Sequence, residues 1–595
     1  MTDIGYGAFW NCSAITDIKV EWEKPVDLDL DDVFDSTTYQ NAVLNLPQNA
    51  WINYVMDYYW SEFKNISCGD LGVTDYSDGT YFYRYLPSSG FTVLVSNSSY
   101  KNFSSISIPQ RISAEGSFYS IFGIAPKAFY NCTNAKGNLV IPNGCEKIGR
   151  DAFYKCSQLS SVTIPVSLKE IGRGAFEGCT GLSQVDISDL TAWCDIDFYD
   201  NYSNPLDYAK HLYLNGDKIV NLRIPEGVKK LKPNVFYYGS ISSVEISNSV
   251  EEIGSNAFAF SNISSVRIPS NLNILSGNAF NSCKNIKTIT FNQSDNPLTL
   301  TDTDVFRGTS IETFNLERDL ILAQGATAGM KTLKKVNFGG NVTLIGDGLF
   351  NGNSNLKEIV IPSTVTYIGA SAFENCGLTS ISIGSAIEEI GDKAFAGNTP
   401  SAIAITAVDS PDAFNTTFSN INGKLMVTPG SEDNYFNNPN CWYQFNYPTP
   451  LVVATDLKVN SSKDSNGNVK LTGTISPADV SLPYVIWKSA DINSALIDPD
   501  GTVHFINGSS SGRLVATTLY ADGPVVTVDV TNNGNITSVE NGDAGVDGIT
   551  TDFDDTYRVF SIQGINLMNT SDSEDLKKLH PGLYIINGKK VMIGK

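Results

Sequence analysis

Histidine is nearly absent from this chain: three in 595 residues, at 211, 504 and 580. They fall in an insertion, an alternating segment and the C-terminal stretch, so a shared site is not expected. That scarcity removes most Ser-His-Asp, Cys-His and His-metal arrangements. Positive charge is also short, with 41 Lys and Arg against 63 Asp and Glu, a net charge of −22. No basic stripe could neutralise phosphates, which excludes nucleic acid as a partner. No apolar run approaches the roughly 20 residues that span a bilayer. P-loop and dinucleotide fingerprints are missing. Carboxylates are plentiful, yet nothing in the pattern brings two together as a glycosidase pair would need. The expectation is a non-enzyme with no catalytic residues, no metal and no cofactor. The opening MTDIGYGAFWNC lacks the charged start and apolar run of a signal peptide. It matches the middle of a repeat instead, so an export signal is expected upstream.

What the chain has in abundance is a phrase. I-G-x-x-A-F recurs at Ile4–Phe9, Ile148–Phe153, Ile171–Phe176, Ile253–Phe258, Ile368–Phe373 and Ile390–Phe395. Variants end at Phe129, Phe236, Phe280, Phe306 and Phe350, and most laps run 22 to 24 residues. Ahead of most phrases lies L-x-x-V-x-I-P, as at Leu159, Val162, Ile164 and Pro165. The alternating apolar residues predict a short half-buried strand, which proline ends. The I-G predicts a turn, and A-F-x-x-C a tight helical turn. One lap is too small to bury its apolar side, so laps must stack into a solenoid with a parallel sheet on one face.

The pattern resembles the leucine-rich repeats of BspA-like (Treponema-type) surface proteins of Bacteroidetes, over roughly residues 1–446. Two arrays are expected, closed by the same cap. Pro47 is followed by Trp60 and Phe63, and Pro429 by Trp442 and Phe445, at equal spacings. Tyr54 and Phe436 match too, each seven residues after its proline. Residues 1–66 are then the end of a first array and 67–446 a complete second one, opened by strands within Thr80–Val95 and Ser105–Ile108.

Beyond Pro450 the runs lengthen. Residues 447–535 resemble a bacterial Ig-like domain, a β-sandwich with Trp487 as core aromatic and Asp500-Gly501 as a hairpin turn. Residues 536–595 read as an acidic linker and a small β module with a hairpin at Asn587-Gly588. That module resembles the C-terminal sorting domains of type IX exported proteins. The fold class is therefore a leucine-rich repeat solenoid, mostly β with short helical turns, followed by a β-sandwich and a small β module.

Six cysteines (12, 132, 156, 179, 283 and 376) stand three residues after the repeat phenylalanine, where other laps carry Ser261, Asn353 and Asn398. Two readings are open: buried thiols filling the turn, or disulfides between coils about 5 Å apart. Buried thiols are favoured, because free cysteine packs as a small hydrophobe. The acidic run Asp27–Asp35 fails as an EF-hand, with Asp32 and Thr38 where glycine and glutamate are needed.

The residue between valine and isoleucine in each strand points to the concave face. This row supplies the candidate ligand-binding residues Thr163, Asp186, Arg223, Glu245, Arg267 and Thr290. It is polar and free of aromatics. The insertion Ser188–Gly216 supplies a second candidate, with Trp193, Phe198, Tyr199, Tyr202 and Tyr208. It reads as a local hydrophobic cap or as a binding site. The resemblance implies an exported cell-surface adhesin that binds extracellular-matrix or other surface proteins. The alternative is a glycan-binding module of a polysaccharide-capture system.

Overall fold

The computed structural model describes residues 3–28, 33–69, 71–300, 305–322, 330–506, 508–520 and 523–542, with the backbone of four strands between 557 and 593. The chain divides into two compact units, residues 1–242 with 254–261, and residues 243–253 with 262–595.

A single coil shows how the repeat works. Strand Leu159–Ile164 runs parallel to Gln184–Ile187, pairing Thr163 with Asp186. Val162, Ile164, Val185 and Ile187 face inward and are buried. A two-residue strand, Glu170–Ile171, forms a second ladder against Lys147–Ile148. The phrase A-F-x-x-C then departs from expectation, forming linked turns rather than a helix. Residues two before and two after the phenylalanine have positive φ in these coils: Asp151 and Lys155 around Phe153, Gly174 and Gly178 around Phe176. A right-handed helix cannot pass through such residues. Their main chain bonds instead to the next coil, with Asp151, Phe153 and Lys155 N–H donating to Arg173, Ala175 and Glu177 carbonyls. The glycine of I-G sits where coils touch. A Cβ on Gly172 would lie 2.7 Å from Arg150 N, so only glycine fits.

Side chains then stack in register. Phe129, Phe153 and Phe176 are buried with ring centroids 5.4 and 5.3 Å apart, and Phe350, Phe373, Phe395 and Phe418 continue the pattern at 5.3 to 5.5 Å. All ten cysteines are free, and nine of them are buried. The Cys156 and Cys179 thiols donate to the Phe129 and Phe153 carbonyls of the preceding coil, 3.2 and 3.1 Å away. Asn398 uses its amide for the same purpose, donating to Phe373 O at 2.8 Å. At Cys156, Cys179 and Asn398 this position is thus a donor to the preceding coil, whereas Asn353 donates to Phe350 O of its own coil at 2.8 Å.

In the first unit, strands Asp17–Lys19, Val43–Leu46 and Asn65–Cys68 form one parallel ladder. Its last strand runs two residues past the expected boundary at 66. Helix Trp51–Val55 and the 3-10 turn Trp60–Glu62 cover the open coil. The Trp60 indole N–H bonds Val26 O at 2.9 Å, and the Tyr54 hydroxyl bonds Trp22 O at 3.1 Å. The second array opens with antiparallel strands Thr74–Ser77, Phe82–Tyr85 and Phe91–Val95. Ser105–Ile108 forms no strand. The hairpin Arg111–Ala114 with Ser117–Ile124 takes its place. Arg84 Nη1 bonds Ser61 O at 3.0 Å and the Arg150 guanidinium stacks on Tyr58 at 3.9 Å.

In the second unit, face strands run from Ser265–Ile268 to Lys335–Phe338, and from Glu358–Ile361 to Lys424–Val427. The latter group continues onto Thr449–Pro450. The closing cap repeats the first: helix Glu432–Phe436, then the 3-10 turn Cys441–Gln444, with Trp442 Nε1 on Pro411 O at 3.1 Å. One residue of the expected match is corrected. Tyr435, not Phe436, is the counterpart of Tyr54. It is fully buried and bonds Ala407 O at 2.9 Å, whereas Phe436 is 50% exposed.

An antiparallel module follows. Strands Ile486–Ser489, Ser511–Thr517, Val525–Thr531 and Ile536–Gly542 form one sheet, so the module reaches Gly542 rather than stopping at 535. Trp487 lies in its core with Leu457, Leu471, Leu514 and Val528. Gly501, with φ +86°, turns the hairpin between Ala495–Ile497 and Val503–Phe505. Further on, strands Gly582–Ile586 and Lys589–Ile593 pair antiparallel. Asn587-Gly588 lies outside the described residues, as do Asp29–Asp32 of the acidic run.

Candidate functional site on the strand face

Within the first unit the strand face is polar and open. Asn138 donates to Thr163 Oγ1 at 3.2 Å and accepts from Ser161 Oγ at 3.0 Å. On the adjoining strand Gln184 Nε2 donates to Asp186 Oδ1 at 2.6 Å. Tyr213 stands opposite Asp186 on the strand beyond. A groove of about 450 Å³ runs beside these residues, lined by Ile108, Val140, Asn143, Thr163, Asp186 and Asn215. Arg223 is exposed on strand Asn221–Arg223.

The strand face of the second unit is occupied by the antiparallel module. Glu245 is exposed, but Arg267 is engaged. Its Nη2 donates to both carboxylate oxygens of Asp498 at 2.9 Å, and its Nη1 to Asn292 Oδ1 at 2.9 Å. His504 Nε2 lies 2.7 Å from Arg267 Nη2 and 2.9 Å from Asp498 Oδ2. Burial raises the Asp498 carboxyl, but His504 and Arg267 outweigh that and hold it below the usual range. Thr290 is 5% exposed and accepts from Asn315 Nδ2 at 3.1 Å.

Further along, Gln293 donates to Ser489 O and accepts from Ser489 N–H, both at 2.9 Å. Gly340 N–H donates to Trp487 O at 3.1 Å. Ser363 and Thr406 hydroxyls both donate to Leu519 O at 2.6 Å. An apolar patch of Ala404, Leu451, Leu482, Ile486, Leu519 and Tyr520 fills the far end, with Val360 and Met426 against it. Glu317 lies inside this junction at 3% exposure, and neither of its carboxylate oxygens has a hydrogen-bond partner. Burial and the charge of Asp498 push its carboxyl well up, against the pull of Arg267. It fits only because residue 339 is glycine: a Cβ there would fall 1.6 Å from Glu317 Oε2.

The insertion splits into two kinds of aromatic. Trp193 is 1% exposed, donates to Val235 O at 3.1 Å and packs on Phe198, itself buried. The Tyr208 hydroxyl accepts from Gly178 N at 2.9 Å. Tyr199 and Tyr202 are exposed, at 72% and 42%.

Asp498, His504 and Glu317 were not candidates on sequence grounds, because the contact between Arg267 and Asp498 joins residues 231 apart. One signal was available. The proline that follows most strands is replaced by Asn292, Glu317 and Gly339 in successive coils, and those coils lie under the module. Among the described residues no cluster of three or more His, Cys, Asp or Glu could hold a metal ion. No described helix is long and apolar enough to cross a membrane.

Stacked coils of this geometry define a leucine-rich repeat solenoid. The family model described as BspA type leucine rich repeat region matches in six copies, over residues 122–204, 209–327 and 322–402. Among solved structures, a leucine-rich repeat protein of Bacteroides ovatus is 22% identical. That match covers 63% of this chain and 98% of its own, with a TM-score of 0.39. A leucine rich cell surface protein of Faecalibacterium prausnitzii is 22% identical, covering 55% and 94%, with a TM-score of 0.30. The pneumococcal vaccine antigen PcpA is 15% identical, covering 63% and 98%, with a TM-score of 0.30. No curated protein matches the chain.

Proposed function

We propose that this protein is a non-enzymatic, exported cell-surface adhesin that binds a host extracellular-matrix or other surface protein through the strand face of its solenoid. The observation that carries the reading is the open groove of the first unit, lined by both polar and apolar side chains, beside Thr163 and Asp186. Its side chains are short and mixed in character, its floor is a rigid parallel ladder, and it has the dimensions of a polypeptide-binding trough rather than an enclosed catalytic pocket. The match to the BspA type repeat model supports surface exposure. The exposed pair Tyr199 and Tyr202 is where a glycan would find a stacking surface.

Both readings meet in one experiment. The full chain is probed on a protein array and a glycan array, beside Asp186→Lys and Tyr199→Ala/Tyr202→Ala variants. Protein binding that drops at least about tenfold in Asp186→Lys supports the adhesin. Glycan binding abolished by the tyrosine changes, with no protein signal, replaces it by glycan capture.

A further inference from the structure

The junction in the second unit records what its strand face recognises. Five hydrogen bonds across it end on main-chain atoms of the module: two between Gln293 and Ser489, one from Gly340 to Trp487, and one each from Ser363 and Thr406 to Leu519. A surface that reads main chain selects extended β-structure and tolerates many sequences. The contacts that involve charge are Arg267 with Asp498, at the hairpin turn, and the Glu358 carboxylate with the Tyr484 hydroxyl. The main chain of that hairpin closes through Asp498 N to Thr502 O and Gly501 N to Asp498 O, both 2.8 Å. The Asp498 carboxylate faces Arg267 across the junction and His504 within its own hairpin. Against these contacts stands Glu317, whose carboxyl is buried without a hydrogen-bond partner and so opposes closure. The closed arrangement carries an unfavourable group at its centre, as a releasable contact does.

We propose that the strand face from Arg267 to Thr406 is a binding surface for β-structured polypeptide with an acidic hairpin turn, and that the antiparallel module occupies it as an internal stand-in. This deepens the reading of the strand face as a protein-binding surface and rests on it. The ligand is a protein that offers a strand edge to Gln293 and Gly340 and a carboxylate to Arg267. It must displace the module, so its apparent affinity is lowered by the fraction of chains whose face is covered.

The test uses the full chain and a backbone-cyclised hairpin peptide of the sequence IDPDGTVHF, residues 497–505. Asp498→Ala, with Asp498→Asn as the conservative partner, removes the module's hold on Arg267 and leaves the hairpin's main-chain closure intact. The labelled peptide should bind the Asp498 variants at least about tenfold more tightly than the unaltered chain, and adding Arg267→Ala should abolish the gain. In the same variants, hydrogen exchange at the Gly340 and Ser489 amides should rise about tenfold as the module leaves. Equal peptide binding by all three chains, or none by any, overturns the proposal. So does unchanged exchange at both amides. A glycan-array signal gained by Asp498→Ala without peptide binding overturns the polypeptide assignment alone, leaving the strand face a binding surface. Loss of the first-unit reading shows separately, as indifference to Asp186→Lys.

Discussion

Cys156 donates its thiol hydrogen to the carbonyl of Phe129 in the preceding coil, across 3.2 Å. Cys376 does the same to Phe350 at 2.9 Å, and Asn398 to Phe373 at 2.8 Å. The position thus selects a small donor rather than a sulfur bridge. Cys376→Ala should cost about 1–2 kcal/mol through the lost bond and the void, and Cys376→Asn should recover most of it. Chemical unfolding of the two variants measures this.

The same arrangement sets thiol reactivity. Burial pushes the Cys179, Cys194 and Cys376 thiols up to about 12, and thiolate is the reactive form. Maleimide labelling of the native chain should modify Cys12, the exposed one, and unfolding should release all ten. Mass spectrometry counts the adducts. A chain with fewer than ten reactive thiols after unfolding without reductant would contradict the structure.

Glycines in the repeat fall into two classes with opposite tolerance. Gly172→Ala places a Cβ 2.7 Å from main-chain nitrogen of the preceding coil and should cost about 2 kcal/mol or more. Gly348 has φ +63° and nothing within 4 Å of its Cβ position. The equivalent residue elsewhere is Asn256 or Lys393, each with positive φ. Gly348→Asn should therefore change stability by less than about 0.5 kcal/mol. Thermal unfolding of both variants separates the classes.

The caps and the insertion give paired tests. Tyr435→Phe removes the hydroxyl bonded to Ala407 O and should cost about 1 kcal/mol, whereas Phe436→Ser should be near neutral. Trp193→Ala opens a buried site and should cost about 3–5 kcal/mol, whereas Tyr199→Ala should leave stability unchanged. Denaturant midpoints distinguish these outcomes.

Glu317 makes stability depend on pH in a definite direction. Its folded carboxyl is raised by burial, so the stability it contributes is fully present below the unfolded glutamate value of about 4.3 and falls as pH rises through the folded value. Glu317→Gln removes that dependence. Its melting temperature should exceed that of the unaltered chain at pH 8, and the difference should shrink steadily towards pH 4. Asp498, held low, acts the opposite way in the unaltered chain. A difference that stays constant across this range would refute the buried, unpartnered placement of Glu317.

Much of this architecture was legible because the repeat states its own physics. Phe153 and Cys156 recur at fixed spacing, so their stacking could be anticipated from one lap, as could the Trp60 and Trp442 caps. Other features escaped. The turns around Phe153 look helical from A-F-x-x-C, since nothing in Asp151 or Lys155 announces positive φ. The choice between Tyr435 and Phe436 turned on a register step of one residue. The engagement of Arg267 was invisible, because strand alternation says only that its side chain leaves the solenoid, not what meets it there.

The coil spacing gives the junction a property of its own. Arg267, Gln293, Gly340, Ser363 and Thr406 lie on coils counted along one axis, six strand steps from first to last, or about 29 Å at 4.8 Å per step. The solenoid is a ruler and the module spans a fixed number of its divisions. A lineage that gains or loses one repeat of 22 residues between Arg267 and Thr406 would leave every coil intact, yet the module would no longer fit. Length change alone, with no residue of the interface altered, would convert a covered face into an open one.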